Sequence, residues 1–186
     1  MSQKPHVLVV DDQEPLTDLY ARWLESDYQV SKAYDGEEAV QKLGSDVDVV
    51  LLDRRMPEIS GDDVLQTIRE NDLDCRIAMV TAVSPDFDIF DLGFDDYLEK
   101  PVSEHEVKSS VEKLLRRSEY SSQLQKYFTL VAQKSAIKAE KSQNERENNE
   151  TYQELSEKVD TLQSEVERSR DQLDEEDLNA IIHDIP

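Results

Sequence analysis

The sequence predicts an α/β protein: a doubly wound, five-stranded parallel sheet, followed by an all-α helical hairpin or coiled-coil segment. Three observations lead there. Short apolar runs alternate with amphipathic stretches of helical spacing through the first hundred residues. The run Val49-Val50-Leu51-Leu52 is apolar at every position, as a strand buried on both faces must be. And no Gly or Pro occurs between Val102 and Ile185, although all four glycines lie earlier. That break divides the chain near residue 118 and predicts domains at 1–117, 118–173 and an acidic amphipathic tail at 174–186.

The elements follow in order. HVLVV (6–10) reads as the first strand. Pro15 to Ser26 reads as a helix, with Leu16, Leu19, Tyr20, Trp23 and Leu24 at helical spacing. YQVSKAY (28–34) alternates as a strand does. Asp35, with Glu38 three residues on, predicts an N-cap and capping box for a short helix through Leu43. VDVVLLD (47–53) is the central strand. Ser60 caps a helix whose inner face carries Val64, Leu65 and Ile68. CRIAMVT (75–81) is the fourth strand, Ser84-Pro85 opens a short helix, and DDYLEK (95–100) holds the fifth strand. Ser103 with Glu106 caps the next helix.

Beyond Ser118 the chain is polar and helix-forming. Leu124, Phe128 and Val131 mark one apolar stripe; Tyr152, Leu155, Val159, Leu162 and Val166 recur at alternating spacings of three and four, a coiled-coil seam. Leu178, Ile181, Ile182 and Ile185 form a patch after DEED (174–177). The bridge at 139–151 lacks Gly and Pro, which favours a long helix and a homodimer through the C-terminal helices. Asn148-Asn149 permits a break and a hairpin.

Composition bounds the function. With 21 Lys and Arg against 43 Asp and Glu, the formal charge is −22. That field disfavours naked nucleic acid or an anionic membrane as partner, and acids spread along the whole chain suit a salt-adapted proteome. Cys75 is the one cysteine, so no internal disulfide forms, and a reducing, cytoplasmic location is expected. No stretch is apolar enough to span a membrane, and the start lacks the pattern of a signal peptide.

In a parallel sheet, ligands bind beyond the carboxyl ends of the strands. At those ends stand Asp11-Asp12, Asp53, Thr81 and Lys100. Carboxylates crowded at one crevice call for a cation, and an all-oxygen set with room for water suits Mg2+. Such a site commonly also meets phosphate. Lys100 offers a positive charge, Thr81 a hydroxyl, and Asp53 a nucleophile able to form an acyl phosphate.

The stretches VLVVDDQ (7–13), LLDRRMPEISG (51–61), MVTA (79–82) and DDYLEKP (95–101) occur in this order. They resemble the response-regulator receiver domain of two-component signalling, over about residues 6 to 117. The resemblance implies a flavodoxin-like strand order, 2-1-3-4-5. It implies Asp53 as phosphoacceptor, a Mg2+ site of Asp11, Asp12, Asp53 and the backbone carbonyl of Arg55, and a catalytic Lys100. Thr81 and Tyr97 become the switch residues, and Lys100-Pro101 a cis peptide. Arg55 and Val83 would flank the phosphate. The implied partner is a sensor histidine kinase or phosphotransfer protein, and the chain would be a phosphoacceptor, not an enzyme acting on an external substrate. Only residues 82–99 separate Thr81 from Lys100, shorter than receivers usually have, which predicts a short or distorted helix there.

SEYSSQLQKYFTLVAQKSAIKAEKS (118–142) resembles the HalX domain that follows receivers in halophilic archaea. Two other classes are weighed. A phosphohydrolase with an aspartyl nucleophile needs a second acid two residues on, where this chain has Arg55. A transcriptional regulator would bind DNA through the C-terminal helices. Residues 118–186 carry 8 basic and 16 acidic side chains and no basic recognition helix, so a helix-turn-helix is not expected, although concentrated salt lets acidic surfaces meet DNA.

Overall fold

The computed structural model describes residues 4–84 and 93–184. Its strands are β1 (His6–Val10), β2 (Gln29–Ala33), β3 (Val49–Leu52), β4 (Arg76–Thr81) and β5 (Asp96–Glu99). Its helices are α1 (Glu14–Leu24), α2 (Gly36–Lys42), α3 (Gly61–Glu70), α4 (Glu104–Glu140), α5 (Gln143–Glu147), α6 (Glu150–Arg170) and α7 (Glu175–Asp184). The helix expected to open at Ser84-Pro85 lies outside the described residues. By contacts, the chain forms two compact units, Met1–Leu115 and Arg116–Pro186.

In the first unit all five strands pair in parallel, in the order β2-β1-β3-β4-β5. Side chains alternate across a strand, so each central strand feeds two cores. Leu8, Val10, Val50, Leu52, Ile77 and Met79 pack on one face with Ala39 of α2 and Val64, Leu65 and Ile68 of α3. Val7, Val9, Val49, Leu51, Ala78 and Val80 pack on the other with Tyr20 and Leu24 of α1 and Val107, Val111 and Leu114 of α4. Cys75 is buried and reduced.

The caps form as their spacing requires. Asp35 accepts the Glu38 amide at 2.7 Å, but Glu38 reaches back to the Tyr34 amide, at 3.3 Å, one residue before the cap. Ser60 and Asp63 close a full capping box at α3. Ser103 and Glu106 bond reciprocally at the start of α4. Leu19 differs from its expected place. It stands 37% exposed on α1, while Thr17 takes the buried position and donates to the Asp11 carbonyl at 2.8 Å. A hydroxyl with a backbone acceptor fits that spot where the apolar pattern alone favoured leucine.

The second unit is an antiparallel hairpin, closed by α7. Tyr120, Val166 and Ile181 form its core, with Leu124, Tyr127, Leu173 and Leu178 packed against it. Ser169 donates to Gln123 at 2.7 Å, and Lys134 lies 4.0 Å from Asp160. The bridge does not continue as one long helix. Ser142 caps α5 through a box with Glu145, and Asn149 accepts the Tyr152 amide at 2.9 Å to start α6 afresh. Side-chain caps thus replace the missing Gly and Pro. Of the seam, Val159 and Val166 are buried and Tyr152, Leu155 and Leu162 half-buried. Phe128 is 58% exposed; the stripe that packs inward runs through Tyr120, Leu124 and Tyr127 instead. The side chains of Ile182 and Ile185 lie outside the described residues.

A buried ion pair fastens α7. The Arg117 Nε lies 2.6 Å from Asp177 Oδ1, with side-chain exposures of 7% and 3%. Asp174 and Asp177 also bond each other's backbone amides. Removing one partner of such a pair strands a charge in an apolar setting, at a cost of about 3–5 kcal/mol. In Arg117→Met, amide hydrogens of residues 175–184 should therefore exchange at least a hundredfold faster, while those of β1 and β3 keep their protection. Hydrogen-exchange mass spectrometry reads both.

Candidate functional site

The central strands are apolar up to their last residue and then turn polar. Asp11 and Asp12 follow β1, Asp53 follows β3, Thr81 ends β4 and Lys100 follows β5. Since β1, β3, β4 and β5 are successive neighbours, the parallel register sets these side chains along one edge of the sheet. The Asp53 amide still pairs with the Val10 carbonyl at 2.9 Å, so the acid is held by the sheet itself. Gly61 lets α3 start close by. A Cβ there would stand 2.2 Å from the Asp53 carbonyl oxygen, and the Gly61 amide bonds the Arg54 carbonyl at 2.9 Å.

Asp11, Asp53 and Thr81 are buried, and Asp12 is exposed. The Lys100 ammonium lies 2.6 Å from Asp11 Oδ2 and 3.5 Å from Asp53 Oδ1. Asp11 Oδ1 accepts the Gln13 amide at 2.9 Å. The Thr81 hydroxyl oxygen accepts the Val83 amide at 3.4 Å. Tyr97 is half-buried among the α3-side core residues, beside the Phe94 ring, and its hydroxyl donates to the Val83 carbonyl. The Lys100-Pro101 peptide is cis. Arg55 lies in the loop between β3 and α3 with its side chain exposed.

One ammonium faces three carboxylates. Burial pushes the Asp53 carboxyl above the ordinary carboxylate range; Lys100 pulls it back, the Asp11 charge raises it again, and the Thr81 hydrogen bond lowers it. Tyr20, which α1 turns toward the same place, is pushed up to about 12 by burial and by the Asp11 and Asp53 charges. Carboxylate oxygens of Asp11, Asp12 and Asp53 lie within 4.8 Å of one another. An oxygen set of this charge, one member open to water, fits a hard divalent cation such as Mg2+.

The sequence signalled Asp11, Asp12, Asp53, Thr81 and Lys100, and the fold gathers them at one edge. It did not signal Tyr20, which reads as an ordinary apolar helix position. Nor did it signal Arg54, whose Nε lies 3.1 Å from both oxygens of Asp62. The one clue to Arg54 was its place beside Asp53.

Comparison with known proteins fits this geometry. Residues 7–112 match the response regulator receiver domain, and the chain belongs to that family. Residues 116–182 match the HalX domain. The chain is similar to a Haloferax volcanii protein, provisionally named a transcriptional regulator: 56% identity over 132 residues, 70% of this chain and 23% of that protein. It is 40% identical over 121 residues to PhoP of Bacillus subtilis, the alkaline phosphatase synthesis transcriptional regulatory protein, covering 62% of this chain and 50% of PhoP. It thus spans half or less of the length of these two relatives. Among solved structures, response regulator TrrA of Thermotoga maritima, in complex with Mg2+ and BeF, aligns with 37% identity and a TM-score of 0.54. The match covers 60% of this chain and 99% of TrrA.

The raised pKa of Asp53 has a consequence for stability. The folded unit holds the Asp53 proton more tightly than the unfolded chain does. This contribution is present at low pH and is lost as pH rises through the folded-state value. Asp53→Asn removes the charge, so without divalent cation it should be more stable than wild type at pH 7, by about 1 kcal/mol or roughly 4 °C in Tm. The gap should close toward pH 3. Thermal melts of the two proteins across pH test this; equal melting at pH 7 would contradict it.

Proposed function

We propose that the chain is a response regulator whose Asp53 accepts a phosphoryl group from a sensor histidine kinase or phosphotransfer protein. The observation that carries this is the buried Asp53 carboxylate beside Asp11, with the Lys100 ammonium within reach of both. In the transfer, an Asp53 oxygen forms the new O–P bond as the donor's N–P bond breaks, and the donor imidazole leaves neutral after protonation. Lys100 stabilises the phosphoryl oxygens and Thr81 offers them a hydroxyl. Asp11, Asp12, Asp53 and the Arg55 carbonyl would hold Mg2+, which offsets charge on the transferring group. Water later attacks the phosphorus, the Asp53 O–P bond breaks, and inorganic phosphate leaves with the carboxylate restored, so the chain acts as a phosphoacceptor.

The proposed domains are a receiver at 1–117, a helical output segment at 118–173 and the tail at 174–186. The acyl phosphate draws Thr81 toward it and moves Tyr97, biasing a two-state equilibrium. Shifting such a pair from 1:99 to 99:1 takes about 5.5 kcal/mol of differential stabilisation. The helical segment then carries the output, through a homodimer of its half-buried seam. The proposed compartment is the cytoplasm, where phosphohistidine donors act; no helix among the described residues is long and apolar enough to cross a membrane.

Incubating the chain with a small acyl phosphate and Mg2+ should label wild type and Thr81→Ala, leave Asp53→Asn unlabelled, and shift the oligomeric state only in wild type. Undiminished labelling of Asp53→Asn would end the assignment.

A second reading, DNA binding through the C-terminal helices, is favoured by the names of two relatives, both regulators of transcription. It predicts a band shift on promoter DNA in molar potassium chloride that survives deletion of residues 1–103. Free DNA at every protein concentration would dismiss it.

A further inference from the structure

The helical hairpin leaves one edge unfinished. Val159 and Val166 of α6 are buried, but Leu130 of α4 and Leu162 of α6 are only half-buried. These two leucines line an open groove of about 420 Å3 between the helices. Its rim is acidic: Glu154, Glu157 and Glu165 stand around it, with one base, Lys158. An apolar floor inside a charged rim marks a surface that a partner covers. α4 has the opposite character. From Tyr120 to Ala139 it carries Lys126, Lys134 and Lys138 and no acid, the longest acid-free stretch of a chain with net charge −22. α6 carries six acids and three bases over Glu150–Arg170.

We propose that this groove seats α4 of a second copy of the chain, giving a four-helix dimer in which each α4 lies antiparallel to its partner's α6. The proposal deepens the homodimer reading above and rests on it. Charge selects the pairing. A two-fold axis across the helices would lay α4 on α4 and α6 on α6, lysine against lysine and acid against acid. A two-fold axis along the helices lays the cationic helix on the acidic one, twice. The same axis preserves height along the bundle. Ser169 bonds Gln123 and Lys134 lies near Asp160, so within about a turn Leu130 is level with Leu162 and Lys126 with Glu165. The second copy's Leu130 therefore arrives over Leu162, and its Lys126 beside Glu165. Salt screens the charges, which set the orientation, while burial of the leucines holds the copies together.

Sedimentation equilibrium of the full chain in molar potassium chloride, with and without a small acyl phosphate and Mg2+, tests this. Wild type should dimerise in at least one of the two conditions. Thr161 is exposed and lines the groove, so Thr161→Arg blocks it without entering the hairpin core. Thr161→Arg and Leu130→Glu should each weaken the dimer at least tenfold while helical circular dichroism keeps its wild-type amplitude. Thr161→Arg keeps the test open should Leu130→Glu unfold. Phe128→Ser, which alters an exposed ring outside the groove, should leave the dimer within twofold of wild type. At the lowest salt that keeps the helices folded, Lys126→Glu should weaken association, and adding Glu165→Lys should recover at least half of the loss. A wild type that is monomeric in both conditions overturns the proposal, as does a dimer equally tight in Thr161→Arg. A dimer lost in Phe128→Ser but kept in Thr161→Arg overturns it too, by moving the interface to another face. A double variant no better than Lys126→Glu overturns the pairing of α4 with α6. Labelling of Asp53 is measured on the same samples. A dimer that takes no label removes the phosphoacceptor reading and leaves the interface standing; a labelled chain indifferent to the groove variants does the reverse.

Discussion

The contact of the Lys100 ammonium with Asp11 and Asp53, at 2.6 and 3.5 Å, holds together a place the fold would otherwise find costly. Two carboxylates are buried at the end of apolar strands, where an ionised acid without a partner is strongly disfavoured. One lysine offsets only part of that cost: burial first, and the neighbouring acid charges after it, still raise the pKa values of Asp53 and Tyr20. The sheet carries a deliberate instability at its carboxyl edge. A hard cation held by these oxygens would offset that charge.

The surroundings are built to keep that edge tight. Gly61 admits α3 within a distance that any side chain would forbid. Thr17 ties α1 to the Asp11 carbonyl. The Lys100 amide continues the β4 ladder onto the Thr81 carbonyl at 2.8 Å. Each of these fixes backbone at that edge, so the carboxylates keep their spacing.

The helical unit meets a related difficulty on its own terms. A two-helix hairpin buries little, and among the described residues only Tyr120, Val159, Val166 and Ile181 are buried apolar residues there. The Arg117–Asp177 pair adds a contact that forms only in one register, because a buried charge tolerates no misalignment. Specificity of docking, more than net stability, is what such a pair contributes.

Local chemistry made much of this legible in the sequence. The period-two and fully apolar runs marked five strands, the Ser and Asp caps marked the starts of α2, α3 and α4, and the ends of the strands listed the acids, the threonine and the lysine. Those signals are short-range, so they survive without knowing the fold. The mistaken positions were those where a neighbour distant in sequence decides. Leu19 and Phe128 have the apolar character of a core but face outward, because helix phase is set by the partner surface, and Thr17 and Tyr127 fit it better. At the bridge 139–151 the sequence left a long helix and a break at Asn148-Asn149 both open, since the capping of Ser142 and Asn149 competes with helix continuation by margins that only packing resolves. Arg54 shows the limit most plainly. Its place beside Asp53 was written in the chain, but its ion pair with Asp62 forms only by folding: sequence determines which groups exist, and tertiary structure decides which of them meet.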